Sequence, residues 1–335
     1  MFEGKKILIT GGTGSLGKAL AKRLLKLNAE IVRVYSRNES SQINMQAELN
    51  DDRLRYFIGD VRDLPRLIRA MEDVDIVFHA AALKHVPIVE YNPFEAIKTN
   101  VLGSQNVIDA CLHENVGTVV CVGTDKAVSP LNTYGATKLL MEKLFVTASN
   151  YTNPERRRTK FIAIRYGNVL GSSGSVVPLF IKQLKDGKKI TITDPTMTRF
   201  NITMNQALDF IIRALTKGTG GEVFIPKLKA YKLGDLKDTL IDLLKQDSLT
   251  EIISVRPGEK YHESLINNDE IRNTFEVKED YVILEDRLQK EATSNNPNLK
   301  RTTLKGQYSS DNVPLLTKEE LKQILLKENI VSSYQ

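Results

Sequence analysis

Apolar and polar positions alternate in blocks along the first half of the chain. Lys5 to Thr10 is a short continuous apolar run, and a glycine-rich turn follows it. From Lys18 to Leu27 the apolar residues Leu20, Ala21, Leu24 and Leu25 recur at helical spacing. Further apolar runs fall at Ile31–Ser36, Arg55–Asp60, Asp75–Ala80, Val119–Thr124 and Phe161–Arg165, with helical patterns at Pro65–Met71, Phe94–His113 and Tyr134–Ala148. Strands alternating with helices at this spacing predict an α/β fold, a doubly wound parallel sheet.

After about Val169 the alternation breaks down. Gly171 to Ser175 reads as a flexible turn. Helices are predicted at Val177–Lys185, Asn205–Thr216 and Leu233–Leu244, and strands at Lys189–Thr193, Glu222–Pro226 and Glu251–Val255. Residues 1–169 therefore form the expected dinucleotide-binding domain, with 200–227 returning to it. Residues 170–199 and 228–335 form a smaller mixed α/β part that binds substrate. Lys290 to Asp311 is polar and aperiodic, which predicts an extended surface segment. Thr317 and Glu320 are spaced as a capping box that opens a last helix to about Lys327.

Composition adds bounds. In 335 residues, 41% are hydrophobic and 26% charged, ordinary for a soluble enzyme. No apolar run is long enough to span a bilayer, and the N-terminus runs straight into a strand, so a cytoplasmic protein is expected. Cys111 and Cys121 sit in apolar contexts and read as buried thiols; neither a disulfide nor a metal site is expected. The net charge of +6 is spread along the chain. Its densest cluster, Arg156 to Lys160, is short and lies in a predicted loop. No nucleic-acid partner is expected, and an anionic small substrate fits the charge as well.

The turn after the first strand, Thr10-Gly11-x-x-Gly14-x-x-Gly17, opens a helix. Small residues there permit a tight turn, let a pyrophosphate approach the backbone and let helix pack on strand, the Rossmann arrangement. The helix N-terminus then offers unpaired N–H groups to phosphate. The second strand ends in Ser36 and Arg37, which suit a 2′-phosphate and favour NADP; a solvated loop arginine is the alternative, and Glu39 two positions on leaves NAD open. Asp60 ends the third strand, where it could bond the adenine amine, and Ala80 to Ala82 end the fourth. The expected cofactor-lining set is Gly11, Thr13, Gly14, Ser15, Leu16, Gly17, Ser36, Arg37, Asn38, Asp60, Val61, Ala80, Ala82 and Lys84, with Tyr134 and Lys138.

The fifth strand leads into Thr124, Asp125 and Lys126: a hydroxyl, a carboxylate and an amine in succession. Tyr134 and Lys138 lie one helical turn apart. A lysine beside a tyrosine lowers the phenol pKa, so Tyr134 is expected to act as a base on an alcohol. The segment thus offers a base for a hydride step and a separate acid and base for a second reaction. A structural Asp125–Lys126 ion pair is the competing reading.

Thr10-Gly-x-x-Gly-x-x-Gly17 with Tyr134-x-x-x-Lys138 resembles the extended short-chain dehydrogenases/reductases. Closer still, Gly59-Asp-Val-Arg-Asp63, His79-Ala-Ala-Ala-Leu-Lys-His-Val-Pro87, Thr124-Asp-Lys126, Arg165-Tyr-Gly-Asn168, Gly174-Ser-Val-Val-Pro178, Ile192-Thr-Asp-Pro-Thr-Met-Thr-Arg-Phe200 and Arg256-Pro-Gly-Glu-Lys260 are similar to the UDP-N-acetylglucosamine 4,6-dehydratases of the 5-inverting type. Together they span roughly residues 5 to 265. The tail from Tyr308 to Asn312 looks more like related capsule enzymes, which often lack the tyrosine this chain keeps.

The resemblance implies a hydro-lyase in which NADP carries a hydride from C4 to C6 of the sugar. Tyr134 takes the C4 hydroxyl proton, Lys126 removes the C5 proton and Asp125 protonates the departing C6 hydroxyl. Lys126 needs a depressed pKa for that role. Thr124 would bond the C4 oxygen. Lys84 would lie near substrate or cofactor, Asn168 would hold the sugar or diphosphate, Arg199 and Arg256 the diphosphate, and Glu259 the uridine ribose. A homo-oligomer is implied as well. The rivals are a UDP-hexosamine 4-epimerase of the same superfamily and a non-catalytic NADP-binding protein.

Overall fold

The computed structural model describes residues 1–150, 159–172, 174–246 and 248–331. Its first half runs β1 (Lys6–Thr10), α1 (Ser15–Lys26), β2 (Ile31–Ser36), α2 (Glu39–Leu49), β3 (Leu54–Ile58), α3 (Leu64–Met71), β4 (Ile76–His79), α4 (Val86–Tyr91), α5 (Pro93–Ala96), a π-helical turn (Ile97–Leu102), α6 (Gly103–His113), β5 (Thr118–Val122), α7 (Thr133–Ala148) and β6 (Lys160–Ile164). The inner strands β1, β4, β5 and β6 are buried on both faces. That is why they read as unbroken apolar runs rather than alternating ones.

The second half adds α8 (Val176–Lys185), β7 (Ile190–Ile192), β8 (Thr198–Phe200), α9 (Met204–Lys217), β9 (Glu222–Pro226), β10 (Ala230–Lys232), α10 (Leu233–Leu244), β11 (Thr250–Ile252), β12 (Ser264–Ile266), β13 (Thr274–Val277), β14 (Asp280–Leu284), α11 (Asp286–Asn295), β15 (Lys300–Arg301), β16 (Tyr308–Ser309) and α12 (Lys318–Lys327). The Thr317–Glu320 capping box forms as expected at the start of α12. The expected basic loop cluster at Arg156–Arg158 lies outside the described residues.

The main sheet has ten strands in the order β15-β13-β14-β9-β6-β5-β4-β1-β2-β3. Every pairing from β3 to β9 is parallel. The chain winds outward from β1 to β3, then returns to the other side of β1 at β4. This reversal opens a crevice at the carboxyl ends of β1 and β4, where open α/β sheets take their ligands. One apolar layer packs α1 and α9 on one face, through Leu20, Leu24, Leu208 and Ile211. The other packs α3, α6 and α7, through Leu67, Ile108, Met141 and Phe145. A separate core joins α8, α10 and α12 around Phe180, Leu236 and Leu321.

Glu222–Pro226 returns to the sheet as β9, beside β6. Two features differ from the sequence reading. First, β14, β13 and β15 extend the same sheet antiparallel, so residues 274–301 join it rather than the substrate-binding part. The hairpin turns at Lys278 and Glu279, with Lys278 at φ 51. A Lys-Glu pair carries none of the Asn-Gly signal that marks such turns in a sequence. Second, Lys290 to Asp311 is not an extended surface segment. It contains the end of α11, an edge strand of the sheet, and β16, which pairs with β12 and buries Tyr308, Ser309 and Ser310. Tyr308 is fixed by polar contacts: its hydroxyl accepts from the Leu228 N–H at 2.5 Å and lies 3.2 Å from the Leu228 carbonyl.

Candidate active site

A cavity of 490 Å³ lies along the switch point. All the cofactor-side residues named from sequence line it, as do Thr124 and Asn168. The glycine turn shows why. Gly11 has φ +67, and a Cβ there would meet the Ala81 nitrogen at 2.8 Å. A Cβ on Gly17 would fall 2.6 Å from the Gly11 carbonyl, so helix and turn touch through bare backbone. Gly14 caps α1 with no side chain accepting from the first turn. The N–H groups that open α1 therefore face the cavity unpaired by side chains, a fit for a pyrophosphate.

The opposite wall is held by a buried relay. The Ala81 N–H donates to Thr10 Oγ1 at 3.3 Å, and Thr10 Oγ1 lies 2.7 Å from His79 Nδ1. His79 Nε2 lies 2.9 Å from Ser104 Oγ, whose hydroxyl donates to the Asn100 carbonyl at 2.6 Å. Ser104 has given its proton away, so Nε2 carries the ring hydrogen and Nδ1 accepts from Thr10. Burial, and then the Lys138 charge, push the His79 pKa down to about 3, so the ring is neutral. Asn100, in the π-helical turn, brackets Leu83: it accepts from the N–H at 2.8 Å and donates to the carbonyl at 3.0 Å. The backbone from Ala80 to Leu83 is thereby fixed along the cavity.

At the ends of β2 and β3, Arg37 Nη1 is 3.7 Å from Asp60 Oδ2, and Arg62 bonds the same carboxylate at 2.8 Å. Burial works against the Asp60 charge, but Arg62 and then Arg37 hold its pKa below the usual carboxylate value.

The chemistry-bearing residues follow β5. Asn132 caps α7 by accepting from the Gly135 N–H at 2.8 Å, and Tyr134 then opens the first turn. Burial raises the Tyr134 pKa; the Lys126 cation favours its phenolate, the Asp125 charge opposes it, and contact with the Thr124 hydroxyl oxygen also lowers it. The sequence expectation assigned that tuning to Lys138. In the structure Lys138 Nζ instead donates to the Val122 carbonyl at 2.7 Å and lies 3.0 Å from Met141 Sδ. Burial lowers its own pKa to about 8.

Lys126 differs from expectation too. Its Nζ donates to Asp125 Oδ1 at 3.0 Å and Asn168 Oδ1 at 3.0 Å, and lies 3.3 Å from Glu263 Oε1. Burial favours the neutral amine, but Asp125 and Glu263 together hold the Lys126 pKa above the ordinary lysine value. The resting lysine is an ammonium, not the depressed base the resemblance requires. Burial raises the pKa of its neighbour Asp125, whose Oδ1 also accepts from the Thr124 hydroxyl at 2.9 Å.

Arg199, Arg256 and Glu259 do not line the cavity. Arg199 is buried, donating to the Thr198 and Tyr261 carbonyls at 2.8 and 3.0 Å and pairing with Glu259 at 3.3 Å. Its donors are turned toward protein. Arg256 is exposed. Glu263 was not singled out from the sequence, although it ends the run that begins Arg256-Pro-Gly-Glu-Lys260. No local signal marked it: the carboxylate just past the Pro-Gly turn is Glu259, four residues earlier. That run is clamped onto the approach to α7: Asn132 Nδ2 donates to the Gly258 carbonyl at 2.9 Å, and Lys260 Nζ to the Val128 carbonyl.

The arrangement is a cavity with Tyr134 on its wall and, just behind that wall, the Asp125–Lys126 pair, joined to it through Asn168. A protein from Campylobacter jejuni named UDP-N-acetylglucosamine 4,6-dehydratase (inverting) is 46% identical, over 97% of this chain and 98% of its own. A Rickettsia conorii protein named UDP-glucose 4-epimerase is 40% identical over 97% and 96%. The crystal structure of Pen from Bacillus thuringiensis superposes with a TM-score of 0.91 at 42% identity, covering 98% of this chain and 99% of that one. Among the described residues no helix is long and apolar enough to cross a membrane. The family described as "Polysaccharide biosynthesis protein" matches residues 7–285, and the chain belongs to that family.

Proposed function

We propose that the protein is a hydro-lyase that dehydrates UDP-N-acetylglucosamine to a UDP-4-keto-6-deoxy-N-acetylhexosamine with inversion at C5, using NADP. The observation that carries this reading is the Asp125–Lys126 pair, 3.0 Å apart, beside Tyr134 and additional to it. Removing water from a sugar needs an acid and a base beyond the group that handles the C4 hydroxyl. The Campylobacter jejuni relative's name supports the same substrate.

A bound nicotinamide dinucleotide supplies the hydride acceptor, and later the donor, and the glycine turn and open N-terminus of α1 fit its pyrophosphate. Ser36 and Arg37 favour the 2′-phosphorylated form. Tyr134 takes the C4 hydroxyl proton; Thr124 orients that oxygen. Once C4 is a ketone, the C5 proton is acidic, and Lys126 in its neutral form removes it. Protonated Asp125 gives its proton to the C6 oxygen, and water leaves. Asn168, on the cavity wall and bonded to Lys126, sits where it can touch both sugar and base.

The epimerase reading rests on relatives' names, the Rickettsia conorii protein's among them. Incubation with UDP-N-acetylglucosamine followed by mass spectrometry separates the two. A product lighter by one water supports dehydration. An unchanged mass with a new C4 configuration supports epimerisation, and no turnover with bound dinucleotide would leave a binding protein.

A further inference from the structure

A lysine ammonium has three N–H donors, and Lys126 faces three oxygens: Asp125 Oδ1, Asn168 Oδ1 and Glu263 Oε1. Of these, only the two carboxylates can take a proton. Glu263 is 3% exposed, and its second oxygen, Oε2, is buried with no hydrogen-bond partner. A half-unpartnered buried carboxylate is costly and calls for an explanation. A merely structural contact to Lys126 would need only a neutral acceptor such as Asn168 already provides.

The carboxylate is firmly placed. The Glu263 N–H donates to Ser310 Oγ at 2.9 Å, and the Ser310 N–H donates back to the Glu263 carbonyl at 2.8 Å. Ser310 Oγ in turn lies 2.7 Å from Thr198 Oγ1. Three distant stretches of chain thus converge to aim one negative charge at Lys126.

We propose that Glu263 is a positioning residue: its fixed charge holds Lys126 in place while a proton passes from Lys126 Nζ to Asp125 Oδ1, arming base and acid together. This rests on the dehydratase reading. In the step an N–H bond breaks and an O–H bond forms, so Lys–NH₃⁺ and Asp–COO⁻ become Lys–NH₂ and Asp–COOH with no change in net charge. Elimination then returns both to their resting forms, because Lys126 gains the C5 proton and Asp125 loses its own to the departing water. The two carboxylates are not equivalent. Burial raises Asp125, whereas Glu263, also disfavoured by burial, is held low by Lys126, Arg199 and Lys260, so the proton goes to Asp125. Tyr134, Arg199, Tyr231 and Lys260 are further titratable and charged groups around the pair, and His262, next to Glu263 in the chain, lies 2.8 Å from Thr198 Oγ1.

The active pair holds one proton. Gaining a second sets the acid limb of the rate profile, and losing the last sets the alkaline limb. The Glu263 charge favours protonation in both cases. Glu263→Gln is therefore expected to move both limbs of kcat/KM to lower pH by about one to three units, and Glu263→Asp to keep the limbs with a lower kcat. A Glu263→Gln enzyme with lowered rate and unmoved limbs overturns the proposal. If that variant does not fold, Glu263→Asp decides: limbs that move with the charge retained also overturn it. Wild-type enzyme that releases no water from UDP-N-acetylglucosamine sinks the dehydratase reading itself, a result distinct from either variant outcome.

Discussion

Replacing Lys126 with methionine keeps an unbranched side chain one atom shorter and deletes its charge. Asp125 and Glu263, 1% and 3% exposed, then lose a cation at 3.0 and 3.3 Å. Breaking a buried ion pair by removing one partner costs about 3–5 kcal/mol. Glu263 retains Arg199 and Lys260 nearby, and Asp125 can take up a proton, so the loss falls near the lower end, about 3 kcal/mol. With 335 residues and about 2.1 cal/mol/K of unfolding entropy per residue, melting drops by about 4 °C. The deficit depends on pH. Burial already raises the Asp125 pKa above its unfolded value, and loss of Lys126 raises it further. A group of that kind adds stability below its unfolded pKa, and the contribution is lost as pH rises through the folded pKa. The variant is thus closest to wild type near about pH 4 and falls behind toward neutrality. Thermal melting of both proteins across a pH series measures this directly. Water elimination should fall by about 10²–10⁴, while dinucleotide binding persists, because Lys126 does not line the cavity. A pH-independent melting difference would refute the electrostatic argument, and undiminished turnover would remove Lys126 as the base.

Three further outcomes are expected. Arg165 is fully buried, with bonds to Glu142 at 2.6 Å and Glu270 at 2.7 Å, so Arg165→Met should cost about 3–5 kcal/mol in a denaturant titration. Combining it with Glu142→Gln and Glu270→Gln should recover much of that loss. Arg37→Ala should weaken NADP binding about tenfold to a hundredfold and leave NAD unchanged; with no tryptophan in the chain, fluorescence of the reduced nucleotide reports this without background. Gly17→Ala places a Cβ 2.6 Å from the Gly11 carbonyl and should cost about 1–3 kcal/mol and loosen dinucleotide binding, seen as a lower melting temperature and a smaller nucleotide-induced rise in it.

Local patterning made the nucleotide-binding half legible. β2 spans Ile31–Ser36 and α10 spans Leu233–Leu244, as their apolar patterns predict, and the glycine turn sits where a strand-then-helix context puts it. The hairpin of β13 and β14 was hidden because its turn relies on a lysine at positive φ, which no turn rule favours. The site was legible as a list of residues but not as an electrostatic arrangement. Which cation faces Tyr134 depends on side-chain direction: Lys138 is one turn away, yet it bonds the end of β5, and Lys126 reaches across. The triple contact at Lys126 joins residues 125, 168 and 263, a proximity that sequence spacing does not encode. The forked donors of Arg199 suit a diphosphate, yet the fold turns Nη1 to the Thr198 and Tyr261 carbonyls and Nη2 to Glu259.

The pairing of β12 with β16 has a consequence for how the protein is made. Residues 1–170 hold nearly all of the dinucleotide crevice, and α9, which covers one face of their sheet, ends at Lys217. Glu263 is not braced until Ser310 arrives. A chain that lacked the Ser310 stretch would therefore hold coenzyme while its acid–base machinery stayed unset, and chemistry would switch on only once Ser310 braces Glu263.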